Sequence, residues 1–252
     1  MDPLLPESSR LLLGSWIAVG VVAGLGRFPV KSTAGESLSL ARVTDRGLRH
    51  DREWAAYTAD GGIASGKTTR RFRKVEGLMR WQSQVPAGGD VPTLLSPDAE
   101  PYRVDDPAAS AALTRAFGQS LTLRRETTTS HHDECGVHLV TTSSVRRAEE
   151  LVGGRVDARR LRANIVLDTD GTGFLEDDWL GGELALGPNV VLRLGQGMPR
   201  CVMVDQPQAG LPAGPPVLRT LGRAHETVLG VQASVTRPGV IALGDTVRLL
   251  PR

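Results

Sequence analysis

The chain has 252 residues, a formal net charge of +2, 40% hydrophobic residues, 29 glycines and 16 prolines. That composition is globular rather than disordered, allows one large or two small domains, and favours short strands and turns over a helical bundle. With no fixed-period repeat or sustained heptad, collagen, solenoid and coiled coil are excluded, and two cysteines, Cys135 and Cys201, exclude a disulfide scaffold or a four-cysteine metal knuckle.

Residues 1–10 read as a loose tail. The apolar run 11–25 is 15 residues long and contains three glycines, short of the roughly 20 residues a spanning helix needs. It reads either as the core of a signal peptide behind Arg10 or as a buried strand over 15–26. Asp2 and Glu7 in the would-be basic region, and the lack of a clear small-residue cleavage site, favour the strand. A loop over 29–35 follows, then strands over 38–43 and 52–58. Turns at 44–47 and 60–62 separate them, the second closing a hairpin into 63–65. Residues 70–79 read as a short helix or irregular chain, and 80–85 and 102–105 as strands. Asp106-Pro107 is a helix start, a capping carboxylate with proline in the first turn, for a helix to about 117.

After a strand at 121–125, residues 126–136 read as a linker. The expected organisation is a tail (1–14), an N-terminal β-rich domain (15–125) and a second domain (126–252). In the second half, strands are expected at 137–141, 164–168, 184–186, 190–194, 201–204, 228–235 and 246–250. Helices are expected from Ser143 or Ser144 to 152 and over 216–226. The fold class is therefore mainly β with some α (α+β), barrel-like with helical caps.

The small net charge hides an asymmetry. Residues 27–80 hold 12 Lys/Arg against 6 Asp/Glu, and the rest of the chain holds 18 against 22. A basic third on a near-neutral chain points to a local anion site or a solvated basic face rather than a nucleic-acid coat. All three lysines, Lys31, Lys67 and Lys74, lie in that third. Lysine is a compact point charge suited to phosphate. Aromatics at 4% leave few stacking platforms for nucleic acid.

Several clusters carry possible chemistry. His131, His132, Cys135 and His138 have zinc-compatible types but lack the second ligand pair of a closed site, and read as a solvated loop plus a strand residue. Cys201 follows Arg200, which favours its thiolate as a soft metal ligand or nucleophile; the plain alternative is a buried structural cysteine. Arg160, Arg162 and Asn164 precede an apolar strand, where a barrel presents binding groups or merely solvates its edge. Thr141-Thr142-Ser143-Ser144 offers hydroxyls and free N–H groups at a helix start, an anion seat or a simple cap.

Seven segments occur in an order that resembles one family. They are Phe28-Pro29-Val30-Lys31-Ser32, Asp51-Arg52-Glu53-Trp54, Leu139-Val140-Thr141, Arg162-Ala163-Asn164-Ile165-Val166, Glu176-Asp177-Asp178-Trp179, Pro199-Arg200-Cys201 and Gly239-Val240-Ile241-Ala242-Leu243-Gly244-Asp245. Together they resemble the MOSC family (named for the C-terminal domain of molybdenum cofactor sulfurase) with its N-terminal β-barrel domain. The amidoxime-reducing component is a relative.

The resemblance implies a β-barrel MOSC domain behind an N-terminal barrel-like domain, and the molybdenum cofactor, a phosphorylated pterin dithiolene. It implies Cys201 as metal ligand and catalytic residue. Lys31 and Ser32 would hold the cofactor phosphate, and Arg52, Thr141, Ser144, Arg162, Asn164 and Arg200 would contact the cofactor. Two segments depart from the family's usual wording. Ser65-Gly66-Lys67-Thr68-Thr69-Arg70 stands where Thr-Ala-Arg-Gln is usual, and Val202-Met203-Val204-Asp205-Gln206-Pro207 where Thr-Thr-Val-Asp-Pro follows the cysteine.

The implied function is a molybdenum oxidoreductase that reduces N-hydroxylated or N-oxide small molecules. A sulfur carrier with a persulfide on Cys201 is the alternative. The sequence has no ferredoxin-like cysteine set and no dinucleotide fingerprint, so electrons would come from a partner protein of ferredoxin, flavodoxin or cytochrome type. The expected setting is cytoplasmic, with two distant cysteines compatible with a reduced compartment, and with neither nucleic acid nor membrane as partner.

Overall fold

The computed structural model describes residues 16–252. Its centre is a closed barrel of seven strands. Around the wall they run Ile165–Asp168, Val137–Thr141, Val228–Arg237, Val190–Pro199, Glu183–Leu186, Thr246–Leu250 and Ile17–Arg27, and the last pairs back onto the first. Neighbours are antiparallel except Val137–Thr141 with Ile165–Asp168, which is parallel. A parallel pair needs a crossover, which the helix Thr142–Val152 supplies.

The wall follows from alternation. Leu184 and Leu186, Leu192 and Leu194, and Val247 and Leu249 point inward at period two, and all are buried. With Leu139, Ile165 and Leu167 they fill one core, each fully buried leucine stabilising the fold by roughly 1.5–3 kcal/mol. Ile17–Arg27 is a stave of this barrel although the next stave begins only at Val137. Its closure needs Gly20, which has φ +155 and where a Cβ would stand 2.1 Å from the Asp168 carbonyl oxygen. The register shifts between Ala18 and Gly20, the local break that lets a strand turn along a barrel wall.

The short strand Glu36–Leu38 pairs with the end of Ile17–Arg27, and the remaining strands form three smaller sheets. One holds Leu121–Arg125, Trp54–Thr58, Ile63–Ser65 and Phe72–Lys74, a second Pro101–Arg103, Thr93–Leu95 and Gln82–Gln84, and a third Gly239–Ala242, Leu40–Thr44 and Gly47–Leu48. The helix Pro107–Phe117 begins as the Asp-Pro signal predicts, with Asp106 Oδ1 accepting from the Ala108 N–H at 2.8 Å. It helps to close a second core around Leu78, Trp81, Leu94, Leu113 and Leu121. Among the described residues, no helix is long and apolar enough to cross a membrane.

Local expectations fail where pairing overrides pattern. Within 70–79, Phe72–Lys74 is a strand parallel to Ile63–Ser65, followed by the turn Leu78–Arg80. Residues 202–204 form a 3-10 turn rather than a strand. The second helix is capped by Thr141, whose Oγ1 accepts from the Ser144 N–H at 3.1 Å, rather than by Ser143 or Ser144.

Candidate functional site

A cleft of about 880 Å³, counting its open mouth, lies between the barrel and the small sheets. Lys31, Ser32, Arg52, Arg162, Asn164, Arg200 and Cys201 all line it, joined by Lys67, Arg160, His132, Asp133, Glu134, Cys135, His138 and Met203. Six of these lining residues are Lys or Arg and two are carboxylates, so the cleft is an electropositive concavity.

The loop after the first stave carries Lys31 and Ser32. Lys31 N–H donates to Trp54 O at 2.7 Å, and Ser83 Oγ accepts from Val30 N–H at 3.1 Å. Arg162 Nη1 donates to Thr33 O at 2.7 Å, tying this loop to the barrel. Ser32, Arg52 and Arg162 have φ of 62, 54 and 54, left-handed values unusual for residues with a side chain. Each costs about 1–3 kcal/mol and persists only because the surroundings hold it, as such strain does at binding sites. The Arg52 N–H donates to Phe28 O at 2.8 Å, and the two guanidinium groups flank the Phe28 ring at 4.8 and 4.3 Å from its centroid.

Asp51 anchors this arrangement from beneath. It is fully buried, accepts from Phe28 N–H at 2.8 Å, is paired with Arg52 Nη1, and lies 3.4 Å from His132 Nε2. Within the 126–136 segment, residues 127–130 are exposed but the two histidines that follow turn inward. His131 and His132 are both buried, with His131 Nε2 2.9 Å from the Tyr57 hydroxyl and His131 Nδ1 3.0 Å from Arg52 O. These partners differ, and among the described residues no three His, Cys, Asp or Glu side chains gather as a metal site.

The cysteine wall follows the stave Val190–Pro199. Arg200 N–H donates to Thr227 O at 2.7 Å, and Cys201, half-buried and extended, opens the turn Val202–Val204 with its carbonyl accepting from Val204 N–H at 3.1 Å. Arg200 Nη2 donates to Leu161 O at 2.6 Å, while its buried Nε has no hydrogen-bond partner among the described residues. Burial lowers the Arg200 pKa to about 10 despite Cys201 nearby, and burial with Arg52 lowers that of Arg162 to about 9, so both remain cations at neutral pH. His138 stands behind, 3.5 Å from Arg200 Nη1, and burial, then Arg200 and Arg52, keep it neutral. A Cβ on Gly230 would meet His138 Nε2 at 2.5 Å, so that close approach requires glycine. Cys135 Sγ donates to Val137 O at 3.0 Å, and burial raises its pKa, which disfavours its thiolate.

Asn164 is a wall residue. Its Oδ1 accepts from His138 N–H at 3.1 Å and its Nδ2 donates to Gly26 O at 3.2 Å, pinning three staves together. Thr141 and Ser144 do not line the cleft. Their hydroxyls donate to Glu176 Oε2 at 2.7 and 2.5 Å, while the buried Oε1 of that carboxylate has no hydrogen-bond partner among the described residues. In this structure the two hydroxyls thus face Glu176 and not the cleft, and Thr141 also caps the helix. The two segments that depart from the family wording pack together: Gln206 Nε2 donates to Gly66 O at 2.8 Å and Ser65 Oγ lies 3.8 Å from Met203 Sδ. A Cβ on Gly66 would stand 2.4 Å from Gln206 Oε1, so a larger residue there, such as the family's alanine, would require Gln206 to move.

The sequence does not lead to Asp133 at this cleft, and it marks Lys67 only as one of the three lysines of the basic third and as part of a segment departing from the family wording.

The MOSC N-terminal beta barrel domain family matches residues 19–151 and the MOSC domain family matches residues 126–248. No curated protein matches the chain. Among solved structures, the YUAD protein from Bacillus subtilis is similar over 94% of this chain and 99% of its own, at 14% identity and a TM-score of 0.54, which shows a shared fold. YiiM from Geobacillus stearothermophilus matches 47% of this chain and 55% of its own, at 18% identity and a TM-score of 0.35. With its two domain matches running together from residue 19 to 248, and a closed barrel behind an N-terminal β-rich half, the chain belongs to the MOSC family with an N-terminal MOSC β-barrel domain.

Proposed function

We propose that the cleft holds a phosphorylated molybdenum–pterin cofactor and that the protein is an oxidoreductase acting on N-hydroxylated or N-oxide small molecules. The MOSC family is associated with binding that cofactor. The observation that carries the reading is one cleft lined by Cys201 and six cations, beside which Arg200 Nε is buried without a partner. A buried, unused donor next to a thiol suits an anionic ligand with acceptor atoms near the sulfur.

The residues present fit such a group. Lys31, Ser32 and Arg52 would hold a phosphate. Arg162 and Arg200 would neutralise charge deeper in the cleft, and the Cys201 thiolate would ligate a soft, high-valent metal. When bound, molybdenum supplies the two-electron redox change that the side chains cannot. The protein would orient the ligand and present to it guanidinium groups that stay charged at neutral pH despite burial. Thr141 and Ser144 have no part in this reading, and Asn164 serves as scaffold.

Electrons would come from a partner protein of ferredoxin, flavodoxin or cytochrome type. The test replaces that partner with reduced methyl viologen and offers an aromatic amidoxime to the loaded protein. Two electrons and two protons should convert it to the amidine and water. Fully loaded protein with no turnover on amidoximes or N-oxides would remove the reductase assignment. Persulfide on Cys201 with neither metal nor pterin would support sulfur carriage instead.

Lys31 gives this reading a pH signature. Burial lowers its pKa from 10.5 to about 8, against the opposing pull of Asp133. Phosphate affinity should therefore fall as pH rises through about 8, because a neutral amine no longer attracts the anion. Folding stability moves the other way. The folded pKa lies below the unfolded one, so charged Lys31 costs stability below about 8, and that cost is relieved as pH climbs towards 10.5. Titrating pyrophosphate below and above pH 8, alongside denaturant melts of wild type and Lys31→Met, reads both slopes.

A further inference from the structure

Two lysines converge on one carboxylate. Lys31 Nζ lies 2.5 Å from Asp133 Oδ1, and Lys67 Nζ lies 3.1 Å from Asp133 Oδ2. Both ammonium groups also face the Phe72 ring, at 4.7 and 5.2 Å from its centroid. The three residues come from separate segments: the loop after the first stave, the chain beyond Ile63–Ser65, and the 126–136 connector. All three line the cleft.

The charges around this point do not balance. Two ammonium groups sharing one carboxylate leave an excess of one positive charge in a partly dry setting, and Arg52 in the same cleft is already paired with Asp51. A terminal phosphate brings close to two negative charges and three strong acceptors, against one charge and two oxygens from a carboxylate. Exposure is uneven too. The Lys31 side chain is 5% exposed and its backbone is bonded to Trp54, the Lys67 side chain is 19% exposed, and the Asp133 side chain is 29% exposed. Asp133 is thus the most accessible of the three and the partner an arriving anion reaches first.

We propose that Lys67 is an anion-binding residue of this cleft, and that Asp133 is a built-in stand-in carboxylate which an arriving phosphate group displaces. The inference rests on the reading that the cleft takes a phosphorylated ligand, and it adds to it a second lysine and a resident competitor. The competitor has a physical use. It keeps the two cations paired before an anion binds and raises the threshold for weakly charged anions, so that selectivity favours phosphate esters over carboxylates.

The test uses full-length protein from a host that cannot make the pterin cofactor, titrated calorimetrically with inorganic pyrophosphate. Asp133→Asn should bind about tenfold more tightly than wild type, and Lys67→Ala about tenfold more weakly, the size expected when one charge-assisted hydrogen bond is added or removed. Without anion, Asp133→Asn should melt below wild type, and pyrophosphate should raise its melting temperature more than it raises that of wild type. Asp133→Ala serves as a second variant with the same expected sign. If the Asp133 variants bind no tighter than wild type, Asp133 is only a structural counter-ion and the proposal fails. It fails also if Lys67→Ala binds as wild type does, or if no form of the protein binds pyrophosphate. The cofactor reading is judged separately, from molybdenum and pterin content of protein made in a competent host.

Discussion

On the proposed cofactor reading, Cys201→Ser should leave a folded protein that binds no molybdenum and has lost the proposed reductase activity. Removing a hydrogen-bond partner of a metal ligand typically costs about 10–100-fold, and removing the ligand itself costs more, so activity should fall by about a hundredfold or beyond. Stability should barely change. Cys201 is half-buried at the head of a short turn, and serine fits the same extended backbone. Pterin should be retained better than metal, because the basic side chains proposed to hold the phosphate are untouched. Elemental analysis, pterin fluorescence after oxidation, and a thermal melt on the same preparation read the three quantities. Cys135→Ser is the control. Its thiol is held to the Val137 carbonyl and disfavoured from ionising by burial, so metal content should stay at the wild-type value.

Asp51→Ala should cost about 3–5 kcal/mol of folding stability, the penalty for leaving a buried cation without its partner. Asp51 is fully buried and its pair Arg52 is 14% exposed at the side chain. The same carboxylate accepts from the Phe28 N–H, so its loss also orphans a backbone donor. Asp51→Asn should cost less, since one oxygen can still accept that bond. Burial alone would raise the Asp51 pKa, but Arg52, His132 and the Phe28 N–H outweigh it and hold the carboxyl well below its ordinary range. A depressed folded value means the stabilisation is present above the unfolded carboxylate pKa and is lost as pH falls below it. Denaturant melts across acid pH should show that limb in wild type and a shallower one in Asp51→Asn. A flat wild-type profile would show that Asp51 is not the anchor described. Because Asp51 orients Arg52, the substitution should weaken phosphate binding as well.

The barrel was legible where side chains alternate. Leu184 with Leu186 and Val247 with Leu249 point inward on strands that the period-two pattern finds, and Asp106-Pro107 marks its helix to the residue. Short strands were legible only in part: Ile63–Ser65 was expected behind its turn, but others were not. Thr93–Leu95 and Gly239–Ala242 are set by partners elsewhere in the chain rather than by their own few residues. The run Ser143-Ser144 offered equally good caps, and only the end of the preceding strand selects Thr141. Ile17–Arg27 read correctly as a strand, but nothing local tells that its two neighbours in the barrel wall lie beyond residue 160.

At the site, Lys31, Ser32, Arg52, Arg162, Asn164, Arg200 and Cys201 could be named from their motifs, and the structure brings all seven to one cleft. What the motifs do not carry is how these residues are held. The left-handed backbone at Ser32, Arg52 and Arg162 has no glycine to announce it. Asn164 looks like a binding amide, yet both ends of its side chain are used on backbone groups. Asp133 and Lys67 do not stand out in sequence because their meaning lies in one another's position, across 66 residues of chain. The hydroxyls of Thr141 and Ser144 turn to Glu176, a partner that only the folded barrel supplies.

Metal and pterin stoichiometry on wild-type protein reads most directly whether this cleft is a cofactor site. Expressed in a host that makes the molybdenum cofactor and purified without chelators, the protein should carry molybdenum and pterin in equal, near-stoichiometric amounts. Preparations from that host containing neither, with Cys201 reduced and the fold intact, would contradict it.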